Sequence, residues 1–284
     1  MPGQSLTLKV SFSTLLHTTQ IRGFRELLDT TRANIFNDTP LGRLYNELLV
    51  HFAHMQYIEL DPGKVRGEVA LPGSWQKNMV GQILNCGYSS RYRDKNTPLD
   101  IANYVVESSP ASSTLVAVQD FDGCSIVLGT LRVAWDDLEI FRLFETSKHS
   151  NWPHQATSQR FGEAGRLCMH PLLDLLSSSS SPELRDYGKT YKEVAYTKAM
   201  EPAMTLLKEK QIDFFYYVAP PKVQRFLERA GPPFTRVEGV VPRMSSSVQA
   251  LHEELNLYFK PSDPPENQPQ VYYSPVLVPS AWGR

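Results

Sequence analysis

The sequence has few cysteines, lacks a long apolar run and carries almost no net charge. Its cysteines, Cys86, Cys124 and Cys168, are odd in number and irregularly spaced, which fits neither a disulfide framework nor a zinc cluster. The longest uncharged apolar stretches, such as 214–221, fall far short of the roughly 20 residues that a membrane helix needs. We therefore expect a cytoplasmic protein with reduced thiols, no membrane span and no bound metal.

The charge balance gives little information about the partner. Lysine and arginine number 29, aspartate and glutamate 30, so the formal net charge is −1. Near-neutrality gives no global signal for nucleic acid or an anionic membrane, and any electrostatic partner must be recognised by a local patch. Of the 284 residues, 41% are hydrophobic, which is enough to bury a large core. The composition leaves the oligomeric state open.

Hydrophobic periodicity divides the chain into three regions. Residues 14–59 have apolar side chains at three-and-four spacing, and residues 1–80 are predicted to be a helical extension packed on the core. Residues 81–260 form the main domain, in which two β-branched runs around a turn at 121–123 predict a hairpin. Residues 261–284 are a proline-rich C-terminal arm that ends in a last strand at "QVYYSPVLV".

The middle of the main domain alternates strand and helix signals. "FGEAGRLCMHP" (161–171) predicts a strand, and the serine run at 177–181 predicts a flexible loop. Pro182 then opens a helix that Pro202 should kink or split. "IDFFYYV" (212–218) predicts a buried strand before a short helix. This order predicts a mixed α/β fold, with a largely antiparallel sheet flanked by helices rather than a doubly wound one.

Ordered motifs within residues 85–240 resemble the N-acetyltransferase-like (GNAT) fold, especially the N-acyl amino acid synthases and acyl-homoserine-lactone synthases. "GTLRV" (129–133) is similar to the family's Gly-(Thr/Cys)-x-Arg-Leu, and "EAGRLCM" (163–169) to its Glu-x-x-Arg-(Leu/Phe)-x-Val. The resemblance implies an amide-forming, biosynthetic acyltransferase with no tightly bound cofactor and an acyl thioester as co-substrate. The N-terminal region and the C-terminal arm lie outside it.

Two departures from the family's pattern concern the acyl donor. Members that use acetyl-coenzyme A follow the central strand with a glycine-containing loop that holds the pyrophosphate, whereas here no glycine occurs between Gly165 and Gly188. The tyrosine of the family's "RFYERLG" pattern is replaced by Leu227. Both changes favour an acyl carrier protein over coenzyme A, because the carrier's phosphopantetheine arm lacks the adenosine pyrophosphate.

The strand at 161–171 holds the candidate catalytic residues. An amide-forming enzyme needs a group that takes a proton from the amine; Glu163 is the first candidate and His170, at a strand exit where surface histidines are common, is the second. Regular alternation puts Glu163 and Arg166 on opposite faces, unless the strand contains the bulge that the resembling fold has there. Arg132 and Arg166 could hold a substrate carboxylate, or each could form an ordinary ion pair. Cys168 is a small core residue rather than a nucleophile.

The resemblance places the donor along the bulged strand and the following helix. The donor-binding candidates are Leu167, Cys168, Met169, Arg185, Lys189 and Lys192. The three basic residues of this set share one helical face and could dock an acidic carrier protein. A second basic face on the next helix has the same spacing and consists of Lys222, Arg225 and Arg229. Either face could instead be ordinary solvated surface.

Polar and aromatic residues also occur between 136 and 154, but no binding site is predicted there. Asp136 and Asp137 lack metal-ligand spacing, and His149, Trp152 and His154 are expected in a lid or surface segment. One alternative function is a GNAT-like enzyme that takes its acyl group from aminoacyl-tRNA, which the near-neutral charge disfavours. Another is a catalytically silent binding or scaffold protein. The expected partners are thus an acyl carrier protein and a small amino acid-like substrate, with tRNA as the weaker alternative.

Overall fold

The structure is a computed structural model, and it describes eleven segments of the chain. These are residues 7–20, 57–91, 110–121, 124–136, 138, 140–146, 152, 158–219, 221–242, 270–277 and 281–282. The helices predicted within 21–56, the Asp122-Gly123 turn, Asp137, His149 and His154 lie outside the described residues, as does most of the C-terminal arm.

Eleven strands are present in the described segments. In chain order they are β1 (Leu8–Val10), β2 (Ile58–Leu60), β3 (Arg66–Val69), β4 (Ser112–Phe121), β5 (Cys124–Ala134), β6 (Phe144–Thr146), β7 (Phe161–Met169), β8 (Phe214–Ala219), β9 (Thr235–Arg236), β10 (Val240–Pro242) and β11 (Gln270–Pro275). The described helices are α1 (Phe12–Thr18), α2 (Trp75–Arg91), α3 (Ile140–Leu143), α4 (Pro171–Ser177), α5 (Pro182–Glu209) and α6 (Pro221–Ala230).

A seven-stranded sheet contains most of these strands, in the order β3, β4, β5, β7, β8, β11, β9. Strand β3 is antiparallel to β4, and β11 is antiparallel to both β8 and β9. Strand β7 runs parallel to β8, and the connection between them contains α4 and α5, as parallel strands require a long crossover. The predicted class, a mixed and largely antiparallel sheet flanked by helices, is confirmed.

The chain forms two compact units. Unit 1 consists of residues 1–107, 114–130 and 166–199, and unit 2 of residues 108–113, 131–165 and 200–284. Unit 1 includes the antiparallel pair of β1 and β2, and its core has completely buried residues from β4 such as Leu115 and Val118. The domain limits predicted at residues 80 and 260 stay a prediction.

Several local features differ from the sequence-based expectation. Residues 58–69 contribute β2 and β3, where only helices were expected. Helix α4, which ends at the first residue of the predicted serine loop, was not predicted, because its seven residues are too few to show a clear periodicity. Helix α5 is continuous from Pro182 to Glu209, so Pro202 does not split it.

The bulge predicted in the central strand is located at Arg166. This residue has a φ of 56°, in the left-handed region that residues other than glycine rarely adopt. A left-handed residue within a strand is characteristic of a β-bulge, which bends the strand and ends its regular pairing. Consistent with this, the pairing of β7 with β8 covers only Phe161–Glu163 opposite Phe214–Tyr216.

Candidate active site

Glu163 is held in unit 2 by a backbone hydrogen bond. Its side chain is half-buried, and Oε2 accepts a hydrogen bond of 3.0 Å from the N–H of Ile140. Ile140 is the first residue of α3, whose N–H groups lack partners within the helix. The bond therefore fixes the orientation of the carboxylate, a group that in its ionised form can accept a proton.

The residue that pairs with Glu163 belongs to an aromatic cluster. The residue paired with Glu163 in the β7–β8 register is Tyr216, and its ring contacts Phe141 and Trp152 with centroid distances of 5.7 and 5.1 Å. Phe141 and Trp152 contact each other at 5.1 Å. Phe161 stacks on Tyr216 with a centroid distance of 5.0 Å. Glu163 thus lies in β7, the strand that contributes Phe161 to this aromatic cluster in unit 2.

Arg132 lies on the same face of the sheet as Glu163. The side chain of Ala134 belongs to the hydrophobic cluster that contains Phe161 and Tyr216. Because side chains in a strand alternate between faces, Arg132 shares the face of Ala134, and Glu163 shares that of Phe161. Arg132 is only 7% exposed. The structure therefore brings two predicted site residues, a carboxylate and a guanidinium, to one face of neighbouring strands β5 and β7.

The remaining strand candidates belong to unit 1. Arg166 and Leu167 are half-buried, and so is Met169, whose Sδ packs against the backbone of Gly129 so closely that a Cβ there would come within 2.8 Å. Cys168 is buried in the core, in agreement with the prediction of a structural residue.

His170 is completely buried, at 0% exposure, and does not lie at the surface as expected. It is the N-cap of α4: its Nδ1 accepts a hydrogen bond of 3.0 Å from the N–H of Leu172, while its own N–H donates to the carbonyl of Leu128. A ring that accepts through Nδ1 is neutral with its proton on Nε2. In this arrangement Nε2 can donate a proton but cannot accept one.

The serine segment that precedes α5 satisfies its own backbone donors. Ser178, Ser179 and Ser180 donate their N–H groups to the carbonyls of Asp174, Leu176 and Thr18, respectively. The N–H of Ser181 donates to Ser179 Oγ, and that of Leu184 to Ser181 Oγ, as expected for a cap. Pro182 has no N–H, and Glu183 adds a negative charge to the first turn. These features disfavour a pyrophosphate at the start of α5.

The predicted basic face of α5 is partly neutralised. Lys192 forms an ion pair of 2.6 Å with Asp174, and Lys189 one of 2.8 Å with Asp186. The hydrogen bond from Lys189, supplemented by the charge of Arg185, lowers the pKa of Asp186 below its ordinary value. The face therefore carries alternating charges. On α6, Arg225 and Arg229 are exposed, and the side chain of Lys222 lies outside the description.

Sequence reasoning missed the aromatic cluster and its link to Glu163. Trp152, expected in a lid or surface segment, is only 3% exposed and packs in the core of unit 2. The run Phe214-Phe215-Tyr216-Tyr217 was the available signal, since aromatic residues in a buried strand provide large contact surfaces. The hydrogen bond from Ile140 has no sequence signal, because a backbone N–H is present at almost every position.

Within the described segments, no group of three or more His, Cys, Asp or Glu is arranged to bind a metal ion. No described helix is both long enough and apolar enough to cross a membrane.

Comparison with known proteins finds similarity in structure. No family model and no curated protein matches the sequence. The chain is similar to FeeM, an N-acyl amino acid synthase from uncultured soil microbes, at 14% identity and a TM-score of 0.37, covering 76% of this chain and 96% of that one. It is similar to the AHL synthase LasI at 11% identity and a TM-score of 0.39, covering 75% and 90%. A third similar structure is an N-acetyltransferase from Lactobacillus plantarum, at 10% identity and a TM-score of 0.38, covering 75% and 99%.

The described sheet is largely antiparallel, with a parallel pair formed by β7 and β8 and a left-handed backbone conformation in β7 at Arg166.

Proposed function

We propose that this chain is an N-acyltransferase that moves an acyl group from a thioester to the amine of an amino acid or a similar small metabolite. The observation that carries the proposal is the placement of Glu163 and Arg132 on one face of adjacent strands in unit 2. Glu163 offers a fixed carboxylate as proton acceptor, and Arg132 offers a buried guanidinium that matches a carboxylate.

The reaction requires one proton acceptor and one leaving thiolate. An ammonium group loses a proton to Glu163, directly or through water, and the free amine attacks the thioester carbonyl. The tetrahedral intermediate collapses with cleavage of the carbon–sulfur bond, which gives the amide and a thiolate. The nitrogen's second proton leaves as the amide forms, and the thiolate takes up a proton. Arg132 would hold the acceptor's carboxylate, and Arg166 is the alternative for that role.

The proposed donor is an acyl carrier protein rather than coenzyme A. The internally bonded serine segment, the absence of an N–H at Pro182 and the charge of Glu183 support this choice, because each disfavours a pyrophosphate. The ion pairs of Lys189 and Lys192 weigh against a strongly basic docking face, which leaves Arg185 and the residues Arg225 and Arg229 of α6 as further contacts. The phosphopantetheine arm would lie along Leu167–Met169, and the cytoplasmic location stays a prediction.

Thiol release tests this proposal. Purified protein is mixed with acyl carrier protein thioesters, acyl-coenzyme A or aminoacyl-tRNA in the presence of pooled amino acids, and free thiol and new amide are measured. The expected result is amine-dependent release of thiol from the carrier thioester, with the amide formed in equal amount. Amide formed only from aminoacyl-tRNA would contradict the proposed donor. Lack of release from every donor would contradict the enzymatic function and favour a binding protein.

A further inference from the structure

The outer edge of the seven-stranded sheet is formed by β3, residues Arg66 to Val69. This strand pairs on one side with β4, and it is the first strand in the sheet order. Among the described residues, the backbone groups of 66–69 show no pairing beyond β4. An edge of this kind has N–H and C=O groups available to a further strand.

Apolar side chains lie exposed at the end of this strand. Val69 is 40% exposed, Leu71 63% and Trp75, the first residue of α2, 41%. They account for three of the four large hydrophobic residues that are exposed in the described structure. A cluster of exposed apolar residues next to an available strand edge is typical of a protein-binding surface.

The charges of β3 are complementary to those of a second copy of the same strand. Arg66 and Glu68 are two residues apart, so their side chains project from one face of the strand, separated by Gly67. If two copies pair antiparallel about a two-fold axis at Gly67, Arg66 of each lies opposite Glu68 of the other. Opposite charges at facing positions stabilise an antiparallel pair, whereas like charges destabilise it. A strand edge that repelled a second copy of itself would need side chains of the same charge at positions 66 and 68.

The neighbouring contacts do not prevent this pairing. Arg66 Nη1 bonds to Asp120 of β4 at 2.7 Å and Nε to Glu68 at 2.5 Å. The other carboxylate oxygen of Glu68 accepts a hydrogen bond of 3.1 Å from Gln76. The side chains of Arg66 and Glu68 nevertheless remain 44% and 29% exposed. In the paired state each guanidinium would lie between Glu68 of its own strand and that of the second copy. Exposed charges of this kind add specificity and register, and the apolar residues add affinity.

We propose that this protein forms a symmetric homodimer in which β3 pairs antiparallel with β3 of a second copy, so that the two sheets join at this edge. The contact is isologous, with each Arg66 facing Glu68 of the other copy and Val69, Leu71 and Trp75 covered at the ends of the strand pair. The dimer does not depend on the proposed enzymatic activity, so either proposal can fail without the other.

Charge reversal at a single position of β3 tests the dimer. Self-association is measured by sedimentation velocity over a range of protein concentrations. Wild type should associate to a dimer, and more weakly at high salt. Glu68→Arg should weaken self-association at least about tenfold, because two arginines would then face each other on each side of the axis. Arg66→Glu should weaken self-association to a similar extent, because two glutamates would then face each other on each side of the axis. Asp120→Asn is the matched control, because it weakens the ion pair of Asp120 with Arg66 but leaves the sequence of β3 unchanged. This variant should dimerise like wild type.

Mixing the two single variants gives the decisive result. The Arg66→Glu variant has acidic side chains at both facing positions of β3, and the Glu68→Arg variant has basic side chains at both. The two strands are therefore fully complementary, and an equimolar mixture should form a heterodimer although each variant alone self-associates more weakly than wild type. Native mass spectrometry distinguishes the heterodimer from either homodimer, and circular dichroism confirms that both variants are folded.

Three results would each overturn the proposal: a monomeric wild type, a dimer that persists in Glu68→Arg, or folded variants that fail to pair with each other. If Arg66→Glu does not fold, wild type and Glu68→Arg still decide the question.

Discussion

The carboxylate of Glu163 caps the backbone of Ile140: Oε2 accepts the N–H of the first residue of α3 at 3.0 Å. This bond uses one of the oxygens that a carboxylate offers, and a carboxylate has several lone-pair sites in total. The hydrogen bond from Ile140 therefore helps to orient the side chain. Orientation of this kind is what a general base requires, since the amine must approach it within hydrogen-bond distance.

Glu163→Gln should lower turnover by about 10²-fold or more, because the amide cannot take a proton from the amine. The free energy of unfolding should change by less than about 1 kcal/mol, since the new Oε1 can still accept the N–H of Ile140. Steady-state rates and thermal unfolding measure the two effects.

The pH profile is the control for this substitution. Wild-type rates should fall toward acidic pH as Glu163 becomes protonated, and the Gln variant should lose that dependence. Wild-type rates that do not vary between about pH 6 and 9, together with an unchanged rate in the variant, would remove Glu163 from this role.

Arg132→Lys should raise KM for a carboxylate-bearing acceptor by about tenfold more than for the corresponding amide, because lysine lacks the planar fork that binds a carboxylate. Arg166→Lys is the comparison, since Arg166 is the alternative partner. Equal effects on both acceptors would show that the substituted arginine has a structural role.

Local patterns of alternation predicted the sheet class, the neighbouring strands β4 and β5 and the last strand, whereas the bulge was expected only from the resemblance. The sequence did not predict how Trp152 packs against Tyr216 or that His170 is buried, since both depend on contacts between distant segments. Helix α4 was missed because a short helix of leucines followed by serines resembles a loop. Glu163 and Arg132 could be named from the resemblance, but their common face required the strand order.

His170→Asn should retain both activity and stability. Asparagine is a good N-cap, and its Oδ1 can replace Nδ1 as the acceptor for the N–H of Leu172. His170→Ala should lose about 1 kcal/mol or more of stability, because it removes the cap and a buried side chain. Chemical denaturation and kcat separate the two roles. A fall of about 10²-fold in kcat for the stable Asn variant would instead assign proton transfer to His170.

Alkaline pH should destabilise unit 1 through its buried tyrosines. Burial raises the pKa of Tyr187, Tyr191 and Tyr196 above the ordinary value of 10.0. Above that value the tyrosines of the unfolded chain ionise while those of the folded chain stay neutral, so the folded state binds more protons and its stability falls as pH rises. At pH values well below the ordinary tyrosine pKa, these residues add no pH dependence to the stability. Denaturant unfolding between about pH 8 and 11 measures the slope, which Tyr191→Phe should reduce.

The last prediction concerns the donor. If α5 docks an acidic carrier protein, reversal of charge at Arg185 and Lys189 should slow the carrier-linked reaction, with a loss that shrinks as salt rises, and leave the reaction of a short pantetheine thioester almost unchanged. Lys189→Glu also breaks the ion pair with Asp186, so Asp186→Asn is the matched control that breaks this pair without reversing the basic charge. Asp186→Asn should slow the reaction with neither donor. Equal slowing of both donors by the reversal would mean that α5 acts on folding or catalysis rather than docking. Full efficiency of wild type with coenzyme A thioesters would contradict the carrier-protein donor itself.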